Sequence, residues 1–450
     1  MLANLRAALL VPDIRKRVGF VLFAFAVFIF MIHVQLPDVN EKAWQSLLKT
    51  GTFYNFLGFL SGGALQKLSI IAMGITPYIN ASIIMQLMTV VLPQLEEMAK
   101  KGGEEGRKKI SQYTRWLTIV LACVQAWTMS LAMQRGGVFY DPSPFFLAYV
   151  VIAMVAGTLF LMWLGEQISD KGIGNGVSLI IFIGIVLRYP ASVTETIAAG
   201  QFNGHFLNIL LFTAIALVTV VSIVFMYQGQ RRVPVQQARR VVGRKLFAGR
   251  SSYIPLRLNN AGVISIIFAI SILLLPQQAL SWFSAGIPGK TGLTPMFYTI
   301  PLPHILPQIQ IPENMPALAL GFQTHFGPAT WEYNAAYFFL VCIFTFFYSA
   351  IVVNTRDIAD NLKKSGSFIP GIRPGQPTVE YLNKILLRIT TVAAVYLGFL
   401  AVLPSVMQHG LQITTLYFGS TSLLIVVGVA LDTMTQIEAR LAMRDYKGFM

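Results

Sequence analysis

The sequence predicts an all-α polytopic membrane protein. Hydrophobic residues make up 55% of the 450 residues and the mean hydropathy is +0.63, whereas Asp, Glu, Lys and Arg together make up only 12%. A soluble chain carries roughly 25% charged residues, so this chain has too few to cover a water-exposed surface of its size. Long uncharged runs recur along it, and helices satisfy their own backbone polar groups in lipid. A soluble enzyme is excluded, and with only two cysteines so is a disulfide-bonded secreted scaffold.

Ten uncharged runs are predicted to be spanning helices, because a bilayer core of about 30 Å needs about 20 apolar residues in a helix. In chain order they cover 18–36, 74–92, 116–134, 146–165, 176–190, 208–228, 260–281, 333–353, 389–404 and 412–431. The fifth run is the shortest, because only residues 172–187 are free of charge and Arg188 and Pro190 follow at once. One longer uncharged run is divided into the ninth and tenth spans at Pro404 and His409.

Basic residues assign the orientation of these spans, because cytoplasmic loops carry an excess of Lys and Arg. With the N-terminus in the cytoplasm, 28 of the 34 basic residues and 13 of the 19 acidic residues fall on the cytoplasmic side. The whole net charge of +15 then lies on that side, and both termini are expected there. The ten spans divide into two halves of opposite orientation, 1–190 and 191–450, as inverted repeats require.

The stretch 56–92 is too long for one span, yet counting it as two would move every later basic loop to the outer face. We therefore predict a short helix, roughly 63–73, that enters from outside and returns without crossing. Lys67 favours this, because a lysine in mid-bilayer costs about 2.5–3.5 kcal/mol. Non-helical backbone at this depth implies a water-filled cavity open to the outside. An interfacial helix without a role is the alternative.

The predicted spans have no charged residue near their centres, which tells against an ion-coupled transporter. They also lack the residue constellations of an intramembrane enzyme or a metal centre, so we predict no catalytic residues and no cofactor. A passive conduit gated by apolar side chains remains. A secondary transporter or insertase with another cargo is the alternative.

Two cytoplasmic loops are unusually long. The loop 229–258 holds eight basic residues and no acidic one, and its β-branched residues and turns predict an extended hairpin. The loop 355–388 contains a glycine- and proline-rich turn with Arg373 at its tip. We predict two basic prongs suited to a large anionic partner, such as ribosomal RNA or an acidic motor protein. Anionic lipid headgroups are the alternative ligand.

Several long motifs in a fixed order carry a family resemblance. Among them are FLSGGALQKLSIIAMGITPYINASIIMQL, MWLGEQISDKGIGNG, GQRRVPVQQARR and DNLKKSGSFIPGIRPGQPT. On these motifs the chain resembles, over essentially its whole length, the SecY family of channel subunits in bacterial Sec protein translocases. The resemblance implies two five-helix halves around a central pore in the plasma membrane, through which unfolded secretory polypeptides pass.

The resemblance also implies roles for individual residues. The re-entrant segment, about 61–73, corresponds to a plug that includes Gly63, Leu65, Lys67 and Ile70. An apolar ring at the waist of the pore corresponds to Ile75, Ile79, Val177, Ile181, Ile267 and Ile425. Polar residues at the seam of a lateral gate correspond to Gln86, Gln125 and Asn259. For these three polar residues, ordinary helix packing is an equally good interpretation.

Partners follow from the same resemblance. It implies a SecE subunit and a SecG subunit, the SecA ATPase, the ribosome, signal peptides and translocating polypeptides, and anionic lipids. Arg373 matches the arginine of the family that faces the motor or the ribosome. Other basic side chains are expected to add a diffuse docking surface, namely Arg231, Arg232, Arg239, Arg240, Arg244, Lys245, Lys363 and Lys364.

Overall fold

The computed structural model describes residues 11–50, 58, 61–141, 143–198, 206–237, 240–242, 245–247, 251–273, 330–411 and 420–447. Helices make up most of this part of the chain. The N-terminal ones are α1 (Pro12–Ile32), α2 (Glu41–Thr50), α3 (Thr76–Val91), α4 (Pro93–Lys101), α5 (Gly103–Arg135), α6 (Pro144–Lys171) and α7 (Gly176–Ala198). The C-terminal ones are α8 (Phe206–Gln228), α9 (Ile264–Leu273), α10 (Trp331–Val352), α11 (Thr355–Lys364), α12 (Gln376–Leu411) and α13 (Ser420–Lys447).

Each of the ten predicted spans coincides with a helix, namely α1, α3, α5, α6, α7, α8, α9, α10, α12 and α13. Within the described residues, four helices are long and apolar enough to cross a membrane, or five if the bent pair α3–α4 counts as one span. That pair bends by 104°. The bend lies at Leu92, whose extended backbone (φ −98°, ψ 114°) is the conformation that the following Pro93 favours.

Two predicted helix ends are wrong. Helix α7 continues through Arg188 and Pro190 to Ala198, and α12 continues through Pro404 to Leu411. A proline inside a helix removes one backbone hydrogen bond, but membrane helices tolerate this where neighbouring groups satisfy the freed carbonyl. The boundary that we predicted between the two halves, at residue 190, therefore falls inside α7. The described part of the tenth helix begins at Ser420, and the first residues of its predicted span, 412–419, lie outside the described residues.

The helices pack mainly against neighbours of the same half. Helix α6 contacts α1, α5 and α7, and α5 also contacts α3. In the second half, α12 contacts α10 and α13, and α13 contacts α8. Contact between α7 and α13 brings the fifth and tenth spans together across the two halves.

The predicted extended hairpin is confirmed. Strand β1 (Gln230–Gln237) pairs antiparallel with β4 (Ser251–Arg257), and between them β2 (Arg240–Val242) pairs with β3 (Lys245–Phe247). The expectation of two separate prongs is wrong. A short strand of the second loop, β5 (Ser367–Phe368), pairs with the end of β1.

The two cytoplasmic loops share an apolar core. Its buried side chains come from the hairpin, the second loop and the start of α12: Val233, Val235, Leu256, Ile369 and Leu382. Alternation along β1 explains this, because residues two apart share one face of a strand. Both loops therefore form one body, hereafter called the cytoplasmic body after the side of the membrane that the sequence predicts for it.

Candidate functional site

The six predicted ring residues lie in one buried apolar cluster. Four of them are buried, with exposed fractions of 9% or less, and two are partly buried and pack against the same cluster. They come from α3 and the residue before it, and from α7, α9 and α13. The buried four are Ile75, Ile79, Ile181 and Ile425, and the other two are Val177 and Ile267. The structure thus brings together residues up to 350 positions apart in the sequence.

A narrow cavity of about 120 Å³ borders this cluster where α3, α7 and α9 approach one another. Four ring residues line it: Ile79, Val177, Ile181 and Ile267. Its remaining wall includes the polar side chains of Ser82, Gln86, Asn175 and Ser178. The cavity is therefore amphipathic, with branched aliphatic groups on one part of its wall and amides and hydroxyls on the other.

The re-entrant segment differs from the short regular helix that we predicted for it. Residues 61–75 form a run of turns whose backbone hydrogen bonds span three, four and five residues. Leu68 has φ +47°, which a right-handed helix does not allow, and Gly62, Gly63 and Gly74 also have positive φ. The glycines permit these reversals because they lack a Cβ.

The re-entrant segment packs tightly on the helices around it. Ala64 and Ile71 belong to the buried cluster of the ring, while Leu65 belongs to a second buried cluster with α5 and α6. A Cβ on Gly62 would lie 2.8 Å from the Cα of Gly184 in α7. A Cβ on Gly157 in α6 would overlap the carbonyl oxygen of Ile70. The backbone of the segment therefore lies against the backbones of α6 and α7, with no room for a side chain at Gly62 or Gly157.

Hydrogen bonds tie the re-entrant segment to the outer end of α1 and to α2. The Leu36 N–H donates to the Leu68 carbonyl (2.9 Å), and the Ile70 N–H donates to the Val34 carbonyl (3.0 Å). The indole Nε1 of buried Trp44, in α2, donates to the Leu65 carbonyl (3.0 Å). These bonds hold the backbone of the segment to α2 and to the residues after α1, while its side chains divide between the cluster of the ring and the second cluster.

Lys67 is exposed, and its Nζ lies 2.8 Å from Nε2 of His33 at the end of α1. The other ring nitrogen, Nδ1, lies 2.9 Å from the Ile29 carbonyl oxygen. Because a carbonyl can only accept, Nδ1 carries the hydrogen, and Nε2 is the acceptor for the Lys67 ammonium. The lysine thus lies beside the C-terminal end of α1.

The three predicted gate residues make local hydrogen bonds. Gln86 Nε2 donates to Ser82 Oγ in the preceding turn (3.1 Å). Asn259 Oδ1 accepts a hydrogen bond from the Gly262 N–H (2.8 Å), just before α9. The backbone carbonyl of Gln125 accepts a hydrogen bond from the Thr128 hydroxyl. None of these bonds crosses from one half to the other. Gln86 alone of the three lines the cavity beside the ring.

The basic residues of the cytoplasmic body are exposed wherever the structure describes their side chains. Arg231 and Arg232 project from β1, with the Arg232 guanidinium 4.9 Å from the centre of the Tyr253 ring. Lys363 and Lys364 are exposed in the last turn of α11, and Arg373 is exposed at the tip of the second loop. Arg239 and Arg244 lie outside the described residues, as do the side chains of Arg240 and Lys245.

Comparison with known families decides between a channel and the alternatives. The family model described as SecY matches residues 69–434. The chain belongs to the SecY family. Relatives named protein translocase subunit SecY include one from Escherichia coli K12, 41% identical over 97% of this chain and 93% of its own. A relative of the same name from Streptomyces scabiei is 39% identical over the full length of both chains.

Solved structures give the same architecture. One described as a protein conducting channel covers 95% of this chain and 92% of its own, with a TM-score of 0.59 and 18% identity. Sec61 from a canine ribosome-channel complex covers the same shares with a TM-score of 0.57 and 18% identity. At this identity the likeness shows the fold. With the family it makes this chain a protein-conducting membrane channel, not an enzyme.

Sequence reasoning missed several residues of the site. Trp44 was not singled out, and its bond to Leu65 could not be inferred because 21 residues separate them. The close approaches at Gly157 and Gly184 were also missed. A glycine within an apolar span was the available signal, since glycine in a helix interior lowers its propensity and often marks close packing.

Proposed function

We propose that this SecY-family channel moves unfolded secretory polypeptides across the plasma membrane and releases apolar segments sideways into lipid. In this proposal both termini are cytoplasmic and the positively charged loops face the cytoplasm. The gathering of the six ring residues, four of them buried, in one apolar cluster with Ala64 and Ile71 of the re-entrant segment carries it. That arrangement is what a seal made of an apolar constriction and an occluding plug requires.

The ring suits a seal that must let a polymer pass. Water in a narrow aliphatic constriction loses hydrogen bonds, so the constriction can dewet and resist ion flow. Aliphatic side chains also contact a passing chain without selecting its sequence, because dispersion contacts are non-directional. Ile, Val and Ile groups from α3, α7 and α9 already face a common cavity, and widening that cavity would open a path.

The amphipathic cavity between α3 and α9 supports a lateral gate. These two helices come from different halves, and both line the cavity together with α7. A signal peptide is apolar with polar ends, which matches a wall of isoleucines beside amides and hydroxyls. Parting α3 from α9 would expose such a segment to lipid, where its apolar side chains are favoured.

The cytoplasmic body supports docking of a driving partner. Its exposed arginines and lysines attract anionic surfaces, whether ribosomal RNA or the acidic surface of a motor. The likeness to a channel solved with a ribosome favours the ribosome as one partner. We propose the SecA ATPase as another, with SecE and SecG subunits beside the channel and anionic lipids around it.

The proposed path is tested by crosslinking a stalled secretory chain to cysteines at ring positions. The two native cysteines are first replaced. We then expect the stalled chain to crosslink to each of three single variants, Ile79→Cys, Ile181→Cys and Ile267→Cys. Phe225→Cys on α8, 77% exposed on the outside of the structure, is the control and should not. If the stalled chain crosslinks to Phe225→Cys but to none of the three ring variants, the proposed path is contradicted.

Replacing Ile425 by Asn should loosen the seal. Ile425 is 2% exposed, and an amide there would hold water where the aliphatic group excludes it. We expect the ion conductance of the idle channel to rise about tenfold, the factor that corresponds to 1.4 kcal/mol. Planar-bilayer recording checks this, with Ile425→Leu as the apolar control. Equal conductance of the two variants would contradict the role of the ring.

Adding a single methyl group to α6 should displace the plug. In Gly157→Ala, the new Cβ meets the Ile70 carbonyl, so the re-entrant segment must shift outward. We expect a higher idle conductance without loss of the folded channel. Gly19→Ala adds the same group in α1, where nothing lies within 4 Å, and should behave as wild type. A leak caused by both variants would point to general destabilisation instead.

A further inference from the structure

The tip of the cytoplasmic body poses a hydrogen-bonding problem. Arg373 precedes Pro374, and α12 begins three residues further on, at Gln376. The first carbonyl to accept a bond from the helix is that of Gly375, which receives the Val379 N–H (3.3 Å). Arg373 lies two residues before it, outside the hydrogen-bond ladder of the helix, and no backbone N–H of the described residues donates to its carbonyl. A side-chain donor can therefore fix this part of the turn.

Thr378 supplies that donor. Its Oγ1 lies 2.9 Å from the Arg373 carbonyl oxygen, and since a carbonyl can only accept, the hydroxyl donates. Thr378 is 2% exposed, so the hydroxyl donates from the buried side of a partly buried bond. Its own N–H donates to the Gly375 carbonyl (3.0 Å). The side chain thus closes the turn from the buried side of the body.

Other constraints act on the same turn. Gly371 and Gly375 flank Arg373 with φ of +81° and +107°, and Pro374 holds the backbone of Arg373 in an extended conformation. The Ile372 N–H donates to the Ile369 carbonyl (3.0 Å), which anchors the turn in the apolar core. Among the described residues, the exposed Arg373 side chain has no hydrogen-bond or ion-pair partner. The turn therefore holds the Arg373 backbone in place and leaves its guanidinium available to a binding partner.

We propose that Thr378 is a positioning residue that fixes the tip so that Arg373 meets the driving partner in one orientation. This inference rests on the proposed docking role of Arg373. A rigid tip lowers the ordering cost that binding must otherwise overcome. Without the hydroxyl, the tip samples other conformations and the partner must select one of them, which weakens docking.

Thr378→Val tests the proposal, because it keeps the branched shape and removes only the donor. In membrane vesicles, we expect the concentration of motor ATPase at half-maximal translocation to rise about fivefold, the effect of losing one hydrogen bond. The maximal rate should stay near wild type. Thr378→Ser, which retains the hydroxyl, should restore the wild-type value. Thr391→Val removes a similar bond, from Thr391 to the Leu387 carbonyl further along α12, and should change nothing.

The double variant separates the possible failures. In an Arg373→Glu background, Thr378→Val should add no further loss, because the group that it positions is already gone. If Arg373→Glu is impaired but Thr378→Val is normal, positioning is refuted while docking stands. If Arg373→Glu itself is normal, the proposed docking role fails. Additive losses in the double variant would show that Thr378 acts independently of Arg373.

Discussion

Deleting residues 63–70 should convert the idle channel into an open ion path. The deletion removes Ala64 from the buried cluster of the ring, and with it the backbone that Trp44 and Leu36 hold in place. If the plug keeps the open state at about 1%, its loss raises the mean conductance by up to about a hundredfold. Recording from reconstituted channels without a translocating chain measures this directly.

A milder variant of the same contact should give a smaller effect. Trp44→Phe keeps the buried aromatic ring but removes the Nε1–H that donates to the Leu65 carbonyl. Losing one hydrogen bond of about 1 kcal/mol favours release of the plug by about fivefold. Conductance should therefore increase in the order wild type, Trp44→Phe, deletion. A deletion channel as tight as wild type would remove the plug assignment, whatever Trp44→Phe does.

Reversing the charge at the tip of the cytoplasmic body should block driven translocation. Arg373 is the exposed basic residue at the end of a fixed turn, so Arg373→Glu places a carboxylate against an anionic partner. We expect the apparent affinity for the motor or ribosome to fall at least about thirtyfold, the factor that corresponds to about 2 kcal/mol for a disrupted charge contact. Export assays and partner-binding assays on inverted vesicles both measure it, and the channel should still assemble in the membrane.

Arg356→Glu is the matched control for this prediction. Arg356 is exposed on α11 of the same cytoplasmic body and changes the net charge equally, but it lies away from the tip. We expect a loss of a fewfold at most, and one that high salt removes by screening. Equal losses for Arg356→Glu and Arg373→Glu would assign docking to diffuse charge. Normal export with Arg373→Glu would refute the role of that arginine.

The membrane architecture was largely predictable because its physics is local. Hydrophobic runs and basic loops are properties of short segments, so each of the ten spans coincides with a helix. Prolines misled the prediction at residues 190 and 404, where the helices continue. A sequence shows that a proline lacks an N–H but not whether neighbouring groups satisfy the carbonyl that it leaves unpaired.

The ring and the docking turn were predictable only in part. The glycine- and proline-rich turn around Arg373 followed from residue types, since glycine permits a positive φ and proline holds its own φ at about −65°. The six ring residues were selected by family resemblance, because isoleucines in apolar spans carry no mark that separates a pore lining from core packing. Their gathering from four spans into one cluster is a long-range property.

By itself, the sequence determined that the chain is an all-α membrane protein, where its apolar helices lie, and that a glycine- and proline-rich turn carries Arg373. Each of these depends on transfer free energies and dihedral preferences of neighbouring residues. Only the tertiary structure decided that the re-entrant segment is a run of turns bound to Trp44 and fitted against Gly157, that β5 joins two loops into one body, and that the Thr378 hydroxyl bonds the Arg373 carbonyl. Those contacts join residues whose chemistry becomes visible only when the fold places their atoms within bonding distance.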